Sequence, residues 1–209
     1  MTPNISPVEV ADFEEVFAMA TSAFAKQSTI HAALGISVDD YAAYLRPSFR
    51  SMIDEGLSLK AVNKETGAVL GAIIATDLME CLSPSPPTDP RFAPISALTQ
   101  RLLKFHIGDT QPQTGSIALV DMGFTAPEAR GHGIYTKLRV AVHDHLKELG
   151  YNRVLGELSS VATQHVVLDK FGHRAISEIT FKDFEYGGET PFAAITEPSS
   201  IILSEGILE

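Results

Sequence analysis

Arg130-Gly131-His132-Gly133 is the stretch of this chain whose residue types and spacing most directly suggest chemistry. It lies between a β-prone apolar run, Ser116–Thr125, and a helical pattern that begins at once. A helix start leaves backbone N–H groups unpaired and carries a partial positive charge. Glycines there let a ligand approach the backbone, and such junctions bind phosphate. An anionic ligand of the pyrophosphate kind is therefore expected over Arg130, Gly131, His132, Gly133, Ile134 and Tyr135. A P-loop would need a GK[ST] ending, which is missing here. A dinucleotide fingerprint would need a third glycine where Thr136 stands, and no turn as long as the six residues between Phe124 and Gly131. The plain alternative is a strand, loop and helix joined by a glycine turn.

The other reactive side chains are scattered. His143 and His145 stand two apart on a helix and do not face one another. His165 and His173 have no cysteine or carboxylate at ligand spacing, so no metal is expected. His132 reads as a solvated loop residue. The lone cysteine, Cys81, has no activating neighbour, rules out an internal disulfide and suggests a reducing compartment.

These groups must be positioned by a chain of 209 residues, a length that suits a single domain over 1–209. Hydrophobic residues make up 44% and charged residues 20%, enough for a sizeable core. A net charge of −10 argues against nucleic acid as a partner. No apolar run approaches the ~20 residues of a membrane span. Residues 1–10 lack the basic and apolar regions of a signal peptide. A cytoplasmic protein without a membrane partner is expected.

Residues 2–6 read as a first strand. Ser6-Pro7-Val8-Glu9 carries helix-start signals, and that helix would run on through Phe13, Val16, Phe17, Ala20 and Phe24. Residues 26–37 read as a loop. A second helix is expected over 38–55 with Pro47 as a kink. Strands 57–62 and 68–78 form a hairpin about the turn ending at Gly67. A proline-rich loop over 83–90 and a helix over 95–106 form an insertion at 84–108, linked by 108–115 to the central strand. The next helix would present Ile134, Leu138, Ala141, Val142, His145 and Leu149 on its inner face, with Lys137, Arg139, Asp144, Lys147 and Glu148 outside. Gly150 is its expected C-cap. A strand over 152–158, a helix over 162–171, a strand over 175–184 and a last strand over 200–203 complete the order. This order reads as an α/β (α+β) chain.

The run Gly123–Ile134 resembles the acetyl-CoA motif of the GNAT N-acetyltransferases, in which a strand ends just before a proline and R-x-x-G-x-G/A opens a helix. Arg130, Gly131 (inside the spacer) and Gly133 match; Tyr135 stands where the family has Gly or Ala. The order of elements resembles that of the GNAT fold, which implies a mixed, twisted central sheet flanked by helices on both faces. The first half looks most like the arylalkylamine N-acetyltransferase branch, through Phe24, Ile30, Leu34-Gly35, Glu55-Gly56-Leu57-Ser58-Leu59 and Lys64-Glu65-Thr66-Gly67.

The resemblance implies transfer of an acetyl group from acetyl-CoA, as co-substrate, to a small-molecule amine by direct attack. It implies a pantetheine arm paired with backbone near Gly123, Phe124 and Thr125. An oxyanion donor would come from the same strand. A base must take the amine proton. The branch's usual glutamate is Ser28 here, and the family's frequent tyrosine acid is Leu168. Asp121, Glu157 and His31 remain as candidates for handling the proton. The ordinary roles for these three are an ion pair for Asp121 and structural or solvent-facing positions for Glu157 and His31. A homodimer is expected by analogy with the family. Three other readings stay open: a CoA-binding sensor with weak or no catalysis, an α/β protein binding another nucleotide phosphate, and a structural or interaction module that binds no small molecule.

Overall fold

A computed structural model of the chain describes residues 2–82, 87–107 and 112–208, with the side chains at 105–107 outside the description. The described chain runs β1 (Pro3–Pro7), α1 (Phe13–Gln27), α2 (Thr29–Ala33), α3 (Val38–Asp54), β2 (Leu59–Asn63), β3 (Val69–Asp77), α4 (Leu78–Cys81), α5 (Ala93–Ile107), β4 (Ile117–Thr125), α6 (Ile134–Glu148), β5 (Arg153–Leu158), α7 (Val161–Gln164), β6 (Arg174–Thr180) and β7 (Ser200–Ile207). Part of the expected proline-rich loop, 83–86, and part of the expected link, 108–111, lie outside the described residues.

The seven strands form one sheet in the order β1-β2-β3-β4-β5-β7-β6. Neighbours are antiparallel except β4 and β5, which run parallel. Parallel neighbours need a crossover, and here the crossover contains the glycine loop and α6. One face of the sheet is covered by α6, where Leu138, Val142 and Leu146 pack on Ala118, Val120 and Val154. The other is covered by α1 and α3 over Ile74, Met122 and Phe124. On that same face α5 packs over Leu119, Leu155 and Leu203.

Two irregularities shape the centre. First, the pairing of β3 with β4 jumps from Ile74↔Met122 to Ala75↔Val120, leaving Asp121 as the extra residue of a bulge. The apolar alternation changes phase there: Ile117 and Leu119 precede it on the α5 face, and Met122 and Phe124 follow it on the α1–α3 side. Second, β4 and β5 pair only as far as Val120↔Gly156. Beyond that point β4 stays with β3 as far as Thr125, and β5 stays with β7 as far as Leu158. The sheet therefore splits between β4 and β5.

Several sequence expectations change. Pro7 ends β1 instead of opening a helix, opposite Leu59; β1 is an edge strand, where a missing N–H is tolerated. The first helix begins later, after a 3₁₀ turn at Val10–Asp12 that is closed by reciprocal capping of Glu9 and Asp12. The expected 26–37 loop contains α2, capped by Ser28, whose hydroxyl accepts the His31 N–H. Helix α3 continues through Pro47. The expected 162–171 helix is α7 followed by a π-helical segment, His165–Lys170. The strand expected to reach Phe184 ends at Thr180, because Phe181 and Phe184 turn into the core through a 3₁₀ turn. The last strand extends to Ile207. Arg139, expected outside, is 1% exposed, and Leu149, expected inside, is 51% exposed.

Candidate functional site

The glycine loop is built by its backbone. After β4 the chain makes a 3₁₀ turn at Pro127–Ala129. Gly131 and Gly133 then take positive φ values of 75° and 69°. Gly133 is the N-cap of α6, and the first helical bond runs from the Lys137 N–H to the Gly133 carbonyl at 3.0 Å. The N–H groups of Ile134, Tyr135 and Thr136 come before that bond and are open to a ligand. A Cβ added at Gly131 or Gly133 would meet nothing within 4 Å, so the backbone faces open space.

That space belongs to a cavity of about 770 Å³ which enters the split. Gly123, Phe124, Thr125, Arg130, Gly131, Gly133, Ile134 and Tyr135 line it; His132 does not. The opposite wall is Ser159–Thr163 with Val166 and Lys170, and Ser28 and Phe24 contribute a third side. Arg130 and Lys170 give the wall local positive charge in a chain of net charge −10. Beyond Val120 the β4 edge facing β5 is unpaired, so an extended ligand can add to it as a strand would. Tyr135 does not displace the helix start. Its ring lies against Gly123 and its hydroxyl accepts from Arg139 Nε at 3.1 Å.

Asp121, Glu157 and His31 do not line that cavity. Asp121 stands on the bulge and Glu157 one residue beyond the last β4–β5 pair. The two acids meet on the α3–α5 side of the split. Burial pushes the Asp121 carboxyl up to about 6. Burial, followed by the Asp121 charge, pushes Glu157 up to about 7. Thr99 of α5 donates to Glu157 Oε2 at 3.0 Å, while Oε1 is buried without a partner. No ion pair or hydrogen bond reaches Asp121 among the described residues, so the paired reading of this acid has no support. Both acids can thus hold a proton close to neutral pH.

Aromatic rings surround the pair. Burial raises the Tyr41 and Tyr44 hydroxyls, and the Asp121 charge adds to both shifts. Tyr44 stacks on Phe92 at 4.0 Å, and Tyr41 meets the His31 ring at 4.5 Å. His31 belongs to α2 and is 7% exposed; burial lowers it to about 4 and keeps it neutral. It therefore backs Tyr41 and is a poor base at neutral pH. Cys81 is pushed up to about 12, first by burial and then by Asp121, so it stays a thiol.

Sequence reasoning missed the opposite wall, the Tyr41–Tyr44–Phe92 box and Thr99. Only Ser160 left a local signal, as a helix cap with Thr163 three residues on. Among the described residues no group of His, Cys, Asp and Glu is arranged to hold a metal.

A parallel pair that splits beside a glycine-opened helix is the decisive arrangement, and solved structures are similar to this chain over nearly its whole length. The chain has the GNAT fold. The C-terminal condensation domain of Ebony, in complex with β-alanyl-dopamine, matches with a TM-score of 0.88 at 14% identity, covering 99% of each chain. Arylalkylamine N-acetyltransferase 2 from Aedes aegypti matches at 0.79 and 17% identity over 100% of both chains. The Drosophila melanogaster polyamine N-acetyltransferase matches at 0.77 and 16% identity, over 99% of this chain and 100% of its own. No family model matches the sequence. No curated protein matches it either. At these identities the likeness establishes the GNAT fold and leaves the chemistry to the residues.

Proposed function

We propose that the chain is an N-acyltransferase that moves an acetyl group from acetyl-CoA to the amine of a small molecule. The observation that carries this reading is the split itself, with an open, glycine-capped helix start at its outer end and two acids of raised pKa at its inner end. The phosphates would sit on the N–H groups that open α6, near Arg130 and Lys170. The pantetheine would follow the free β4 edge past Gly123. A backbone N–H of β4 would stabilise the thioester oxygen as it gains charge. On the other side, the acids would attract an ammonium group and take its proton. The similar structures named above include amine acetyltransferases and a condensation domain holding β-alanyl-dopamine, which agrees with an amine acceptor.

Thermal unfolding with acetyl-CoA tests the donor half. At 100 times its dissociation constant the ligand should add about 2.7 kcal/mol and raise the midpoint by several degrees. ATP and NAD should leave it in place. An amine panel with thiol detection then tests turnover. A midpoint shift with no thiol released by any amine would instead favour a CoA-binding protein without catalysis. A shift with ATP or NAD in preference to acetyl-CoA would favour the nucleotide reading.

A further inference from the structure

A departing thiolate needs a proton, and Asp121 and Glu157 are engaged in taking the proton of the amine. Leu168 occupies the position of the tyrosine that the resemblance led us to expect. Another tyrosine reaches the split from a different element. Tyr135, in the first turn of α6, lies so close to Gly123 that a methyl there would fall 2.5 Å from its Cε2; only glycine leaves room for the ring. Its hydroxyl accepts from Arg139 Nε at 3.1 Å. Arg139 Nη2 in turn lies over Gly156, 3.1 Å from where a methyl would stand. Gly156 is the last β5 residue paired with β4. The phenol is therefore hung at the root of the split, on the face opposite the two acids.

Three further observations give it a role. Tyr135 lines the cavity, so a ligand entering the split passes its ring. Among the described residues the hydroxyl takes part only in the bond it accepts, which leaves its own proton to donate. The partner is a guanidinium that is 1% exposed, with Nη1 unpaired and Cζ 5.7 Å from the Tyr135 ring centroid. Burying an unpaired cation is costly.

We propose that Tyr135, oriented by Arg139, is the proton donor to the leaving sulfur; this rests on the acyl-transfer reading above. The amine nitrogen bonds to the thioester carbon, and the carbon–sulfur bond breaks with its electron pair going to sulfur. Sulfur takes the Tyr135 proton and the thiol forms. The surplus proton of the amine goes to the Asp121–Glu157 pair on the opposite face. Arg139 holds the phenolate until water in the cavity returns a proton to it. Amine and thioester become amide and thiol, with no other reactant. Tyr135 is the catalytic residue in this step and Arg139 a positioning residue.

The test is Tyr135→Phe, which keeps the ring and removes only the hydroxyl. Its kcat with acetyl-CoA and the best amine should fall on the order of 100-fold, with CoA affinity unchanged by calorimetry. Arg139→Met should also lower kcat at unchanged CoA affinity. The double variant should be no slower than Tyr135→Phe alone, because the arginine acts through the phenol. A wild-type kcat in Tyr135→Phe would overturn the proposal, and so would a loss confined to donor affinity, which would make Tyr135 a wall of the channel. Additive losses in the double variant would remove Arg139 from the role. Absence of turnover in the unsubstituted protein would overturn the transfer reading itself, and that outcome is visible before any variant is made.

Discussion

The two faces of the split sheet bury ionisable groups in opposite ways. On the α3–α5 face are Asp121 and Glu157, ringed by Tyr41 and Tyr44. On the α6 face are Arg139, His143 and His173, with the two imidazoles stacked at 5.1 Å. Arg139 and His173 fit because Gly156 and Gly206 leave the sheet bare beneath them. The cause is the same on both faces, since burial disfavours charge. The consequences diverge. Carboxylates start well below neutrality, so burial lifts Asp121 to about 6 and Glu157 to about 7, where protons exchange freely. Histidines start at neutrality, so burial drives His143 to about 4, with a smaller push from Arg139, and His173 to about 3, with pushes from His143 and Arg139. These rings stay neutral. Burial therefore leaves the acids able to exchange protons near neutrality and keeps the histidines uncharged.

The sharpest way to break this contrast is to neutralise the acids. Asp121→Asn combined with Glu157→Gln should lower kcat/KM on the order of 100-fold or more while acetyl-CoA binding persists. The unsubstituted rate should climb as pH passes through 6 to 7 and the pair ionises, and the residual rate of the variant should be flat there. A steep profile surviving in the variant would move the base elsewhere. His173→Asn should leave the shape of the profile unchanged.

Stability should divide along the same line. The folded acids hold protons that the unfolded chain has lost, between the ordinary carboxylate range and about 7, so stability falls as pH rises through that window. His31, His143 and His173 do the reverse. The unfolded chain holds their protons between about 4 and 6.5, so stability falls as pH drops through that range. The two effects offset one another across the mildly acidic range. Removing the acids should expose the histidine term: the double variant should gain about 2–3 kcal/mol per histidine between pH 4 and 6.5, against a shallower change in the unsubstituted protein. Urea midpoints across that range measure it. Equal slopes in the two proteins would show that the acids are solvated after all.

What was legible in the sequence was what is local. The glycine loop declared itself because phosphate binding at a helix start needs only consecutive residues, and Gly133 sits at the cap as expected. The hairpin, the left-handed glycine that ends α6 and the succession of strands along the chain followed from turn residues and periodicity. The meeting of Asp121 with Glu157 was not legible, because it depends on a bulge and on where a parallel pair stops. Arg139 was misplaced for a related reason. A charged residue on an amphipathic helix is outside by default, and only two glycines on distant strands and a tyrosine one turn back make room for it inside. The α2 turn was missed because its cap, Ser28, sits in a stretch without helical periodicity.

The last prediction concerns the space those glycines leave. Gly206 is an ordinary strand residue, with no positive φ to require glycine. A methyl there would stand 2.3 Å from His173 Nε2, 2.6 Å from Cε1 and 2.8 Å from Cδ2. The ring is 8% exposed and stacked on His143, so it has little room to swing away. Gly206→Ala should therefore destabilise the protein by about 1–3 kcal/mol, although alanine suits a strand no worse than glycine does. The acids lie on the other face, so the pH dependence of the rate should keep its shape and only the melting temperature should fall. A pH profile that moved with Gly206→Ala would show that strain on the α6 face reaches the acid pair, and that the two faces titrate as one unit.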